Sequence, residues 1–252
     1  MMIELNNVSI SSDISVDFEN FKEIVENKVG KLSPDDISKL KQMHEVMYIN
    51  RMLANDLVYD SAAQVKSLYN LNQHLLIAGI VLMIMGDKYT PYFLMRGSLE
   101  AFIKCMLANK KQKTKNSFSN NLEFYTSEAS RTIQELIKDR TNKSIVKKTF
   151  NKFTTYGRKT LYGDLSEKIH IVDDEPSTEV AYLSDFFSTH PLENEKMSQK
   201  YISVLEYESV LSILNISAVK KQIISTSKID FFRSRCNNDK LKNLVNLIMK
   251  YI

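Results

Sequence analysis

The chain has 252 residues, 43% of them apolar and 25% charged, with a net charge of +4, an ordinary balance for a soluble globular protein with one large domain or two small ones. Six Gly and four Pro leave few tight turns and few sheet corners, so the expected class is mainly α, a multi-helix bundle with short links. Cys105 and Cys236 lie far apart and away from His clusters, which excludes a disulfide framework and a structural zinc site.

Taken in chain order, Ile3, Leu5, Val8 and Ile10, then Ile14, Val16 and Phe18, recur mostly at period two, so residues 1–32 are expected to form a short extended or β arm. A helical body over 33–172 follows. Ser33-Pro34-Asp35-Asp36 is a helix start, and Leu40, Met43, Met47, Ile49 and Leu53 carry that helix to about Tyr59. Ser61 to Met85 reads as a second long helix whose last half is apolar nearly all round, which predicts the centre of the bundle. Its longest apolar stretch, Leu75 to Gly86, is too short to span a bilayer, and no basic-apolar-small leader opens the chain. The expected location is cytoplasmic, without a membrane partner. Thr90 caps the next helix with Pro91 in its first turn. Helices from about Asn121 to Asp139 and from Ser144 to Tyr156 come after a polar link. A helical C-terminal region, 173–252, is expected to pack on the body. It opens on Asp173 to Ser177, which breaks the pattern, continues through one or two turns at Tyr182 to Phe187 and a long helix from Lys196 to Lys221, and closes on a helix capped by Asp239 with Leu241, Leu244, Val245 and Ile248 on one face.

Charge is unevenly placed. Lys138, Arg140, Lys143, Lys147, Lys148, Lys152, Arg158 and Lys159 stand against Asp139 alone, whereas Asp173 to Glu195 carries seven carboxylates and no Lys or Arg. The basic block can neutralise phosphates and steer nucleic acid, or be a solvated helix face; it lacks the interleaved aromatics of a base-stacking platform. Lys147, Lys148, Lys152 and Arg158 are its candidate binding residues.

Candidate chemistry sits on two helices. Counting from Phe93 by threes and fours places Arg96, Glu100, Ile103 and Leu107 on one face, so both charges are expected toward the core. The order, cation before anion, is the weaker one for a surface pair. Tyr162, Ser166 and His170 recur every fourth residue beside Leu161, Leu165 and Ile169, which places two hydroxyls and an imidazole along one helix edge within reach of that stripe. Arg96, Glu100 and His170 are the candidate catalytic residues, with Tyr162 and Ser166 as binding residues; a buried polar network fixing a helix crossing is the alternative.

Arg96-x-x-x-Glu100 followed by Tyr162-x-x-Leu165-Ser166-x-x-Ile169-His170 resembles a group of bacterial HEPN-like helical proteins found among mobile-element and phage-defence genes. The resemblance covers these two segments. It implies a HEPN-like core and a role in a defence or mobile-element system. HEPN ribonucleases typically carry an Arg, a short spacer opening on a polar residue, then a His; here the nearest Arg before His170 is Arg158, too far back. The standard ribonuclease motif is therefore absent, although His170 and Arg96 could form an equivalent pair across helices.

Other chemistries lack their residues. Gly30-Lys31 has Val25 and Leu32 where a P-loop needs Gly and Ser or Thr. No Gly-x-Gly-x-x-Gly follows a strand and no His-Glu-x-x-His occurs, so no nucleotide cofactor or zinc is expected. Asp173-Asp174-Glu175 lacks the spaced ligands of a calcium loop. Three functions stay open: a helical interaction or regulatory protein binding a protein or RNA partner, a metal-independent ribonuclease, and a structural homo-oligomer joined through the C-terminal helix.

Overall fold

The computed structural model describes residues 2–59, 61–115, 117–170, 195–219 and 224–251, with side chains described except at 2–9, 169, 170, 195 and 219. Among the described residues there is no strand. The helices are α1 (Met2–Val29), α2 (Pro34–Val58), α3 (Ala63–Ile84), α4 (Thr90–Asn109), α5 (Phe118–Glu135), α6 (Arg140–Thr155), α7 (Asp164–His170), α8 (Glu195–Leu214), α9 (Thr226–Arg235) and α10 (Asp239–Tyr251). Two π-helical segments, Tyr156–Gly163 and Asn215–Val219, follow α6 and α8 directly. The mainly α multi-helix bundle expected from composition is therefore what the chain forms.

The N-terminal arm is helical rather than extended. Ile14, Phe18 and Val25 are buried and Phe21 is half-buried, a four-three-four spacing that draws one helical stripe onto α2. Val16, which sustained the period-two reading, is 62% exposed. The expected break at Asp173 to Ser177 and the turns at Tyr182 to Phe187 lie outside the described residues.

Helix ends follow their caps. Ser33 Oγ accepts from the Asp36 amide at 3.1 Å and starts α2. Asp139 does not close α5; its carboxylate accepts from the Asn142 amide at 2.8 Å and starts α6. Thr90 is not the cap of α4. Asp87 Oδ1 accepts from the backbone amides of Tyr89 and Thr90 at 2.8 and 2.9 Å, a position opened by Gly86 at φ 87°, which L side chains rarely adopt. Gly86 and Asp87 thus make the sharp turn of the α3/α4 hairpin.

The centre of the bundle is α8, not α3. Tyr201, Val204, Leu205, Tyr207, Val210, Leu211, Ile213 and Leu214 are buried, and so are Glu206, Glu208, Ser209 and Ser212 on the other faces of α8. It packs on α2, α4 and α10, which joins the C-terminal helices to the body. Helix α3 packs chiefly on α4 and leaves Leu71, Ile77 and Val81 exposed. By length and composition alone it is also apolar enough to cross a membrane, yet less than half of its most apolar window is buried. Leu241, Leu244, Val245 and Ile248 of α10 are fully buried, and α10 packs on α6 and α8 of the same chain. That face is covered within the chain.

Helix α6, the Tyr156–Gly163 π segment and α7 run on as one rod. At its widened stretch a Cβ added to Gly157 would stand 2.2 Å from the Tyr207 hydroxyl oxygen, and Tyr207 stacks on Phe153 with ring centroids 4.4 Å apart. Glycine there lets α8 close onto the rod.

Candidate functional site

The two sequence segments do meet. Tyr162, at the end of the π segment, reaches α4, where its hydroxyl donates to Glu100 Oε1 at 2.6 Å and accepts from Arg96 Nε at 3.0 Å. Arg96 Nε lies 3.4 Å from Glu100 Oε1, and the guanidinium stands over the Tyr162 ring, 4.9 Å from its centroid. Phe118 stacks on the same ring at 4.3 Å. The weaker order of the pair is explained by this third member, which bridges cation and anion from another helix.

The charges do not point into the core. Arg96 and Glu100 are 33% and 34% exposed; the stripe emerges from Leu107 and Ile103, both buried, to an exposed Phe93. Burial, and then the Glu100 carboxylate, hold the Tyr162 phenol above its usual range, so it stays protonated and donates. Ser166 is not part of the cluster, because its hydroxyl donates to the Tyr162 carbonyl one turn back at 2.7 Å. The side chain of His170 lies outside the described residues. What the described geometry does chemically is lock α4 to the rod: both charges are paired and the hydroxyl is used twice.

The basic block resolves into two grooves with α6 as the ridge between them. One, of about 670 Å³ between α6 and α10, is lined by Ser144, Lys147, Lys148, Asn151, Lys152, Thr155, Tyr156, Thr160 and Lys240. Among the described residues it is lined by four lysines and no carboxylate. Lys240 lies over the Tyr156 ring, 5.4 Å from the centroid, so that ring is covered rather than offered to a base. The second groove, of about 560 Å³ between α5 and α6, is lined by hydroxyls and amides with Glu123 and Phe150 among them, and shares Lys147, Asn151 and Thr155 with the first. Arg158 belongs to this second groove and is ion-paired to Glu123. Lys240 was not legible as a site residue, since it enters the groove from a helix far along the chain.

A buried polar cluster on α8 was also missed. Glu208 is fully buried; its Oε1 accepts from Asn72 Nδ2 at 2.9 Å, and the same amide donates to the Ser98 carbonyl at 3.1 Å. Burial pushes its carboxyl up to about 8, against the pull of Asn72 and Ser98, so the acid is neutral near pH 7. Nearby, Asn50 Nδ2 donates to the Leu205 carbonyl and to Ser209 Oγ. Among the described residues no group of His, Cys, Asp or Glu is placed to hold a metal ion.

These features define an all-helical bundle with a basic groove and a hydrogen-bonded polar core. Comparison with protein-family models, with curated proteins and with solved structures finds no match.

Proposed function

We propose that the chain is a non-enzymatic binder of single-stranded RNA, holding the sugar-phosphate backbone along α6. The observation that carries this reading is the α6/α10 groove, lined by Lys147, Lys148, Lys152 and Lys240 and by no carboxylate among the described residues. Lysines so placed neutralise successive phosphates and release counterions, independently of base sequence. The adjoining groove supports RNA over DNA: Ser127, Asn151 and Thr155 offer donors and acceptors to a 2′-hydroxyl beside the shared Lys147. In this reading Arg96, Glu100 and Tyr162 are structural, and a regulatory role in a bacterial defence or mobile-element system is what the HEPN-like resemblance adds.

Fluorescence anisotropy with a labelled single-stranded RNA tests it. If all four lysines meet phosphates, log affinity falls against log salt with a slope of about −3. Lys148→Glu with Lys152→Glu lowers affinity at least tenfold and flattens the slope by about 1. The RNA is recovered intact. No binding at low salt overturns the reading, and cleavage lost in His170→Ala replaces it with the ribonuclease.

A further inference from the structure

We propose that the outer face of α3 is the seam of a two-fold homodimer in which two copies of α3 pack antiparallel. Leu71, Ile77, Val81, Met85, Tyr89 and Phe93 are large apolar side chains between 39% and 51% exposed, and all lie on the α3/α4 hairpin. Six side chains of this size put on the order of 500 Å² of apolar surface in water, a size of patch that often marks an interaction site. Gly97 of α4 seats against Leu75, where an added Cβ would come within 3.3 Å of its Cδ1, and Phe93 lies one turn nearer the hairpin loop on the same side of α4. The face therefore extends from α3 onto α4.

The spacing identifies the occupant as another helix. Leu71, His74, Ala78, Val81 and Met85 are separated by three, four, three and four residues, the repeat of a coiled-coil seam. Leu71, His74, Val81 and Met85 are exposed and Ala78 is half-buried, while Asn72, Leu76, Gly79, Ile80 and Met83 face inward. The seam is palindromic in size. A two-fold axis through Ala78 sets Leu71 against Met85 of the other copy, His74 against Leu82 and Leu75 against Val81, and lets the helices approach closest where both side chains are one methyl group. A specific interface needs about 800 Å² from each partner; the six exposed side chains supply the larger part, and the half-buried Leu75, Leu82 and Leu94 and the exposed His74 add to it. A lipid surface fits less well. It asks for a broad apolar face edged with Lys and Arg, whereas no Lys or Arg occurs from Ser67 to Gly86 and His74 sits within the seam.

Sedimentation equilibrium of the full chain is expected to give twice the 29.1 kDa chain mass. Ile77→Glu with Val81→Glu should return a single-chain mass with unchanged far-ultraviolet circular dichroism, and with RNA affinity at the α6/α10 groove unchanged. Cysteine substitutions report the register independently: Ala78→Cys cross-links to itself under mild oxidation, whereas Leu71→Cys cross-links only when mixed with Met85→Cys. A single-chain mass for the wild type at the highest soluble concentration overturns the proposal. So does a dimer that survives the double Glu variant, a Leu71→Cys chain that cross-links to itself, or a monomer that floats with phosphatidylcholine vesicles.

Discussion

Replacing Glu208 by Gln should stabilise the protein, and by an amount that grows with pH. In the unfolded chain the carboxyl titrates near its ordinary 4.5, while in the native state burial raises it to about 8. Between those values the native state holds a proton that the unfolded state has released, so stability falls as pH rises through the window. Relative to a group that never ionises, at about 1.4 kcal/mol per unit the cost is about 3 kcal/mol at pH 7 and levels off near 5 kcal/mol above pH 8. A glutamine carbonyl still accepts from Asn72 Nδ2, and its amide stands where Glu208 Oε2 lies buried without a hydrogen-bond partner among the described residues, so the shape is kept, the ionisation is removed, and any cost of the extra donor is the same at every pH. Urea denaturation of both proteins from about pH 4 to pH 9 should give curves that coincide at the acid end and separate to about 3 kcal/mol at pH 7 in favour of Glu208→Gln. A difference that stays constant with pH, or a variant less stable at pH 7, would refute the assignment of Glu208 as a neutral core acid.

Two further substitutions probe the joints around the rod. Gly157→Ala places a methyl 2.2 Å from the Tyr207 hydroxyl oxygen and should cost about 2–3 kcal/mol, seen as a fall in Tm of about 5–10 °C; an unchanged Tm would mean that α8 does not close on the rod at this point. Tyr162→Phe removes the hydroxyl bonded to Arg96 and Glu100 but keeps the ring on Phe118. Its expected cost is about 1–2 kcal/mol in urea denaturation, with RNA affinity unaltered, and a loss of affinity at full stability would turn the cluster from a joint into a binding site.

The helical class, the α2 start and the meeting of Tyr162 with Arg96 and Glu100 were all legible, because each rests on local periodicity or on residue types that seek partners. The identity of the central helix was not. Helix α3 looks like a core helix since its last half is apolar nearly all round, but nothing in one sequence shows that only one of its sides finds a neighbour. Helix α8 carries Glu208, Ser209 and Ser212 and looks half-polar, and its burial is allowed by Asn72 and Asn50, residues that lie more than a hundred positions earlier. Long-range hydrogen-bond partners are invisible to a period count. The N-terminal arm failed for a simpler reason: Ile14, Val16 and Phe18 fit period two, and that short alternation outweighed the four-three-four run of Ile14, Phe18, Phe21 and Val25, which separates a helix from a strand. The basic groove was half-legible, as its α6 lysines are neighbours in sequence and Lys240 is not.

Placing the central helix after the seven helices that precede it orders events during synthesis. A ribosome releases α1 to α7 before residues 195–214 emerge, so the faces of α2 and α4 that receive α8 wait without their partner. The hairpin's apolar exterior and the vacant interior are then presented together, the interval in which an unfinished chain is most adhesive. Chains stopped before residue 195 lack the axis around which the other helices are arranged, and cells making this protein should clear them rather than accumulate a smaller folded form.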